Sequence, residues 1–539
     1  MQALLSRQQA RAIDRAIVAA TGMPTLLLME NAARSAGMAI EQHHAAALAR
    51  GVVVVAGVGQ NGGDGVALAR QLRAQGVQVL LILVGNPADV RGDAAQNWAI
   101  WQRLPGVQTA EWQSARAAEL QSHLTQTGLI IDAVFGTGLN RPVTGETAEA
   151  ILAINAAPVP TVALDVPSGI DADTGAVLGV AVEATLTVTF AAAKRGLFQW
   201  PGRGHAGRIV LGSLGAPWHC QTRVHWVTPA DLWQWLPAPA ADQHKGRAGH
   251  VDLVTGAPGT AGAALLSARA SLRAGAGLVR LWTHAALSTQ LQGLLPELMC
   301  DALAGDSATA LQQLTPARPA GTRHRSALLG PGFGRDTVAM TLLRALARQL
   351  VVPTVLDADA LHAVGATGLA TLRTAAAPRL LTPHPGEAAM LLDTTVAGVQ
   401  ADRYQAATEL ATRSGQVVVL KGAGSIIADP QGNMVVSDWA LPLLGVGGSG
   451  DVLAGLCAQQ LLHLPPFEAA IVAVELHARA AQRAARLDDG MAPIDSGLLA
   501  SEIADALPAA RASLVKGAQM SDTSGRVGSF STDGRRLDA

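Results

Sequence analysis

Leu444-Gly445-Val446-Gly447-Gly448-Ser449-Gly450-Asp451 opens the helical run Val452-Leu453-Ala454-Gly455 near the end of this 539-residue chain. Three physical requirements meet there. Glycines let backbone N–H groups close around an oxyanion or phosphate. The helix start adds unpaired donors and the positive end of its dipole. Asp451 places a carboxylate at the same point, where it can take a proton from a substrate hydroxyl. Taken alone, the stretch is equally a helix N-cap after a flexible turn.

Upstream of that stretch, short apolar runs alternate with Ala-rich helical segments, which predicts parallel α/β architecture. Residues 251–255 read as a strand, 256–262 as a loop, 263–274 as a helix and 278–282 as a strand. Further runs end in Gly330-Pro331-Gly332-Phe333-Gly334, Leu356-Asp357-Ala358-Asp359-Ala360 and Thr382-Pro383-His384-Pro385-Gly386-Glu387. No G-x-x-x-x-G-K-[ST] is present, so this is not a P-loop NTPase. The run Val417-Val418-Val419-Leu420 leads into Lys421-Gly422-Ala423-Gly424-Ser425, candidates for phosphate or ribose contacts, and Gly450 permits close phosphate approach. His384, between two prolines, sits in a stiff loop. As isolated residues, Lys421 is equally a solvated strand end and His384 a hydrogen-bonded loop residue.

The first half repeats the architecture. Residues 52–56 read as a buried strand, 57–65 as a glycine-rich loop, 66–74 as a helix and 77–84 as the next strand. Gly57, Gly59 and Gly62 formally satisfy G-x-G-x-x-G. The second strand, however, ends Val84-Gly85-Asn86 with no carboxylate for a ribose hydroxyl, and Asp64 would repel a pyrophosphate. That argues against an ordinary NAD dehydrogenase. Two later strands end in carboxylates, Leu129-Ile130-Ile131-Asp132 and Thr161-Val162-Ala163-Leu164-Asp165. The carboxyl ends of parallel strands share one edge, so these loops are expected to converge with Asn61. Each aspartate also has a plain reading as a cap or turn former.

Bulk properties bound the rest. Hydrophobic residues make up 49% and charged residues 15%, enough for a large core. A net charge of −1 gives no reason to expect nucleic acid or a membrane as partner. Cys220, Cys300 and Cys457 fit neither a disulfide framework nor a zinc cluster, so a cytoplasmic location is expected. The N-terminus lacks signal-peptide organisation, and no apolar run is long enough to span a bilayer. Trp98, Trp101, Trp233 and Trp235 read as packing residues, and His43-His44 as a solvated pair. A stiff Pro-Ala connector is expected across residues 216–240, between domains at 1–215 and 241–510. A disordered tail is expected over 511–539.

The phrase Asn61-Gly62-Gly63-Asp64-Gly65, with Asp132-Ala133-Val134-Phe135-Gly136, Asp165-Val166-Pro167-Ser168-Gly169 and Leu28-Met29-Glu30-Asn31-Ala32, resembles the YjeF N-terminal family of NAD(P)H-hydrate epimerases. The resemblance covers about the first 215 residues and implies a Rossmann-like three-layer domain. It further implies substrate contacts from Gln60, Asn61, Gly62, Gly63 and Asp64, from Gly136, Thr137, Gly138, Leu139, Asn140, Arg141 and Pro142, and from Asp165 as acid/base group. It implies a potassium ion on Asn61, Asp132 and Ser168, which would answer the repulsion at Asp64. Gln60 stands where that family often has asparagine. From about residue 240 to 505, Lys421-Gly422-Ala423-Gly424 followed by Gly447-Gly448-Ser449-Gly450-Asp451 looks like a ribokinase-type fold. With His244-Lys245-Gly246 and the 330–334, 356–360 and 382–387 stretches, it resembles the YjeF C-terminal, nucleotide-dependent NAD(P)H-hydrate dehydratases. That resemblance implies substrate contacts from Ala263, Gly334, His384 and Asp451. It implies a nucleotide, ADP or ATP with Mg²⁺, on Lys421, Gly422, Ala423, Gly424, Ser425 and Gly450. The combined expectation is a repair enzyme for hydrated NADH and NADPH, with a homo-oligomer as its plausible state. The alternative is a small-alcohol kinase joined to a nucleotide-binding module.

Overall fold

The structure, a computed structural model, describes residues 1–218, 220–236, 241–315, 324–487, 494, 496–521, 529–530 and 536–537. The chain divides into two compact units, one formed by Gln2–Thr222 and one beginning at Arg223. Among the described residues no single helix is long and apolar enough to cross a membrane.

In the first unit, parallel strands lie in the spatial order Gln108–Glu111, Val79–Val84, Val52–Gly57, Leu129–Ala133, Thr161–Leu164, Leu186–Phe190, Arg208–Gly212. The unbroken valine run of 52–55 follows from burial on both faces. Val52, Val54 and Ala56 enter one core with Leu28, Ala33 and Leu68, while Val53 and Val55 enter the other with Leu120, Leu124 and Ile151. Successive strand residues point to opposite faces, so one strand serves helices on both sides. Strand order reverses between Val52–Gly57 and Leu129–Ala133, and the crevice at their carboxyl ends is where ligands bind in such sheets.

The glycine-rich stretch departs from expectation. Residues 60–65 are not loop: the helix spans Gln60–Ala74. Glycine is a poor helix former, but packing overrides the preference. A Cβ on Gly62 would lie 1.7 Å from the Gly57 carbonyl oxygen. The glycines bring this helix start onto the sheet.

The second unit repeats the order. Parallel strands run Leu298–Ala302, Leu278–Thr283, His250–Val254, Arg325–Leu329, Thr354–Leu356, Arg379–Leu381, Val417–Leu420, followed by antiparallel Ile426–Ala428 and Met434–Val436. The helices Ala261–Arg273, Ser449–Gln460, Pro466–Ala484 and Ala500–Ser521 cover one face through Ala268, Leu456, Val472 and Ile503. The helix after the opening glycine stretch begins at Ser449, not at Val452, so Asp451 stands in its first turn.

The expected connector is partly folded. Val224–Trp226 pairs with Met434–Val436, and Val227, Leu232 and Leu236 are buried in the second core. Apolar residues spaced through 224–236 outweigh Pro229, which takes the first position of a short helix. The Pro-Ala stretch 237–240 lies outside the described residues. The last helix runs past residue 510 and buries Leu514, while most of 522–539 lies outside the described residues. Trp98 and Trp101 are buried as expected of packing residues, whereas Trp233 is exposed.

Candidate active sites

A cavity of about 540 Å³ lies at the carboxyl edge of the first sheet. Gln60, Asn61 and Asp64 line it from the helix start, and Gly136, Thr137, Gly138 and Leu139 from the loop after Leu129–Ala133. Asp165 follows Thr161–Leu164. Gly62 and Gly63 are buried behind the wall, and Asn140, Arg141 and Pro142 are exposed where the loop leaves the lining. Asp165 adopts φ 69°, a left-handed conformation that marks a constrained site residue. One carboxylate oxygen accepts a bond from the Thr137 amide at 3.1 Å, and the other meets the Lys194 ammonium at 2.5 Å.

Lys194 is buried and further held by Thr189 Oγ1 and the Phe190 carbonyl, each at 3.0 Å. It was not singled out in the sequence, where Lys194-Arg195 carries no motif. Asp14, from the Arg7–Thr21 helix, also lines the cavity and carries no motif. Burial raises the Asp14 carboxyl, and burial followed by the charges of Asp165 and Asp14 raises that of Asp64 well above the usual range. The cavity therefore offers Asp165 as an ion-paired carboxylate beside groups that favour holding protons.

Behind this wall, Asp132 is fully buried, and burial pushes its carboxyl up to about 6. The Ser168 hydroxyl donates to it at 2.5 Å, the Ser168 amide at 2.8 Å and the Val134 amide at 3.2 Å. No cationic side chain pairs with it among the described residues. Asn61 is buried with both amide atoms lacking hydrogen-bond partners. An orphaned carbonyl oxygen, a hydroxyl and a buried carboxylate are oxygen donors of the kind a hard cation takes.

In the second unit the functional groups gather at the corresponding sheet edge. The Lys421 ammonium lies 2.8 Å from Asp357 Oδ1 and 3.9 Å from Glu387 Oε2. A Cβ on Gly450 would lie 3.6 Å from it, so the ammonium sits beside the glycine-rich helix start. Thr382 Oγ1 donates to the same Asp357 oxygen at 2.7 Å. Burial, then the neighbouring Asp357 charge, pushes Asp451 up to about 6, with Lys421 opposing. Glu387 is pushed up to about 6 by burial. His384 Nδ1 accepts from the Gly386 and Glu387 amides at 3.0 and 3.2 Å, which leaves Nε2 to carry the ring proton. Burial and then Lys421 lower its pKa, so the ring is neutral at pH 7.

Gly334 donates its amide to Asp359 at 2.9 Å, and Arg335 pairs with the same carboxylate at 2.6 Å. Ala263 stands beside the Gly332 turn, where a Cβ would lie 3.1 Å from its methyl. Residues 421–425 form a partly exposed turn clamped from below: Arg403 donates to the carbonyls of Leu420, Lys421 and Gly424 at 3.2–3.4 Å. Beside that turn the Lys421 side chain pairs with Asp357 and Glu387. Asp357, Glu387 and Arg403 were not singled out in the sequence; the carboxylates stood inside quoted motifs, whereas Arg403 carries no local signal.

Residues 25–196 match the family model described as YjeF-related protein N-terminus, and residues 251–505 match that described as NAD(P)H-hydrate dehydratase. The bifunctional NAD(P)H-hydrate repair enzyme Nnr of Moorella thermoacetica is 37% identical over 516 residues, covering 92% of this chain and 94% of its own length. That of Salinibacter ruber is 35% identical over 526 residues, covering 91% and 93%. An ADP/ATP-dependent NAD(P)H-hydrate dehydratase from Bacillus subtilis, co-crystallised with ATP and Mg²⁺, is 28% identical, covers 54% of this chain and 99% of its own, and superposes with a TM-score of 0.46. Similarity running through both halves is not what a small-alcohol kinase joined to a binding module would show. The chain belongs to the family of bifunctional NAD(P)H-hydrate repair enzymes, with an epimerase and a dehydratase in one polypeptide.

Proposed function

We propose that Asp165 is the acid/base group of the epimerase and Asp451 the base of the dehydratase. The observation that carries this assignment is their shared placement. Each is a carboxylate at the carboxyl edge of a parallel sheet, beside a helix start that glycines let approach closely. In the first cavity, residues 60–64 and 136–142 bind the hydrated nicotinamide nucleotide. Asp165, held in place by Lys194, takes the proton of the ring hydroxyl as the carbon–nitrogen bond opens to an aldehyde, and returns it to that oxygen when the ring nitrogen recloses on the other face of the carbonyl. Potassium on Asn61, Asp132 and Ser168 would supply a fixed positive charge next to the substrate.

In the second site, Ala263, Gly334, His384 and Asp451 face the S form of the hydrate. Residues 421–425 and Gly450 bind ADP or ATP. Mg²⁺ on the nucleotide phosphates would offset their charge. Asp451 takes the proton of the ring hydroxyl as that oxygen attacks the terminal phosphoryl group, and the helix-start amides offset charge on the transferring group. The carbon–oxygen bond then breaks with release of phosphate, helped by the ring nitrogen lone pair. Loss of a proton from the adjacent ring carbon restores the dihydronicotinamide. Burial of Asp451 beside Asp357 suits a base that must also hold a proton near neutral pH.

The test is recovery of reduced-nicotinamide absorbance from mixed hydrate epimers with ADP or ATP and Mg²⁺. The parent should recover all of it, Asp451→Asn none, and Asp165→Asn should stall once the S form is consumed. Recovery by Asp451→Asn at the parental rate would remove that residue from the chemistry.

A further inference from the structure

Two cavities of the first unit adjoin along one helix. The cavity containing Asp165 measures about 540 Å³, and a second of about 510 Å³ is lined by Arg7, Gln8, Arg11, Arg15 and Asp173. Arg11 and Arg15 line both. They lie four residues apart on the Arg7–Thr21 helix and therefore share a face. Neither makes a hydrogen bond or ion pair with the described residues. Arg7, one turn earlier, is paired with Asp171 at 2.5 Å. A Cβ on Gly138 would lie 3.6 Å from the Arg11 guanidinium, which places Arg11 against the loop that lines the first cavity.

Asp64 and Asp165 line the first cavity, and its buried ammonium is committed to Asp165. With that ammonium committed, this wall suits an uncharged ring with a hydroxyl better than a phosphate. The unpaired guanidiniums stand instead where the two cavities meet. A dinucleotide has two nucleotide halves joined by a doubly charged pyrophosphate, and guanidiniums bind phosphate oxygens through paired, charge-assisted hydrogen bonds.

We propose that Arg11 and Arg15 clamp the pyrophosphate of the hydrated dinucleotide, with the nicotinamide half in the 540 Å³ cavity and the adenylate half in the 510 Å³ one. This rests on the assignment of the first cavity to the hydrated substrate. Because both arginines are exposed and unpaired, the clamp contributes to binding and not to the fold.

The experiment compares the parent with the double variant Arg11→Ala/Arg15→Ala in epimer exchange on hydrated NADH, hydrated NADPH and hydrated reduced nicotinamide mononucleotide. The variant should raise KM about tenfold or more for both dinucleotides, as expected for loss of charge-assisted bonds, and leave kcat and the thermal midpoint near parental values. The mononucleotide, lacking pyrophosphate, should be handled equally by both proteins. Arg11→Lys/Arg15→Lys should fall in between. Unchanged KM for the dinucleotides would overturn the proposal. So would a rise confined to hydrated NADPH, which would put the 2′-phosphate there, or an equal rise for the mononucleotide. Calorimetric titration of NADP⁺ into an Asp451→Asn background gives a readout independent of turnover. If the parent exchanged no epimers yet bound NADP⁺ through the two arginines, the epimerase assignment would fall and the clamp would stand.

Discussion

At the scale of single residues, the proposed dehydratase chemistry depends on a carboxylate held away from its ordinary proton affinity. Asp451 is raised from 3.8 to about 6 by burial and the Asp357 charge. A base works only when deprotonated, so dehydratase kcat should climb through about pH 6 and level off above it. The same shift bears on stability. The folded state holds more protons than the unfolded chain between the two values, so this group's contribution falls as pH rises through that window. Asp451→Asn should therefore be inactive yet raise the thermal midpoint at pH 7, with the gain vanishing below about pH 4. An equal midpoint for parent and variant at pH 7 would argue that the site does not strain this carboxylate. In the first site, Lys194→Met removes the ammonium 2.5 Å from Asp165 and leaves that carboxylate without its partner. Epimer exchange should drop by two orders of magnitude or more while dehydration of pure S form is unchanged. Asp165 and Asp451 were legible because each closes an apolar strand or opens a helix. Lys194 and Asp14 carry no such local mark; their roles arise because distant segments fold against Asp165.

At the scale of elements, the first glycine-rich stretch is a helix start from Gln60, and the second is a turn that passes into a helix at Ser449. Local propensity argues for loop, since glycine weakens a helix by about 1 kcal/mol relative to alanine. Backbone approach decides otherwise. Gly62→Ala would drive a methyl into the Gly57 carbonyl at 1.7 Å, with backbone on both sides and no flexible chain end to yield. A loss of about 3 kcal/mol is expected, read as a lowered urea midpoint. Gly448 takes φ 88° with the Leu266 methyl 2.4 Å from the Cβ position, so the opening stretch also requires glycine at that point. Arg403 performs the matching task from below, holding three carbonyls of the 420–424 turn. Arg403→Leu should raise KM for the nucleotide several-fold more than it raises KM for the hydrate, because the proposed assignment gives that turn to the nucleotide alone. Equal changes in the two constants would mean general loosening of the unit.

At the scale of the whole molecule, each unit has its own sheet, its own strand-order reversal and its own set of carboxylates. Among the described residues, those lining the Asp165 cavity belong to the first unit and those around Lys421 to the second. The two chemistries should therefore complement in trans. A mixture of Asp165→Asn and Asp451→Asn proteins should restore full recovery from mixed epimers, since the free hydrate can pass through solution between them. A persistent stall in the mixture would mean that substrate must be handed over within one chain.

The sequence by itself determined the parallel α/β class, the two-part organisation and the strand-end motifs, because all three are written in local patterns of apolar runs, glycines and carboxylates. It was also enough, through the Asn61–Gly65 and Gly447–Asp451 phrases, to point to the family. Tertiary structure alone decided where the helices begin, since backbone approach to the sheet overrides glycine's local preference. It alone folded residues 224–236 into the second core, because burial of Val227, Leu232 and Leu236 requires a partner surface far along the chain. It alone joined Lys194 to Asp165 and Lys421 to Asp357, pairs 29 and 64 residues apart that no periodicity connects. An ammonium's function is set by which carboxylate it meets, and that is fixed only when the strands are laid side by side.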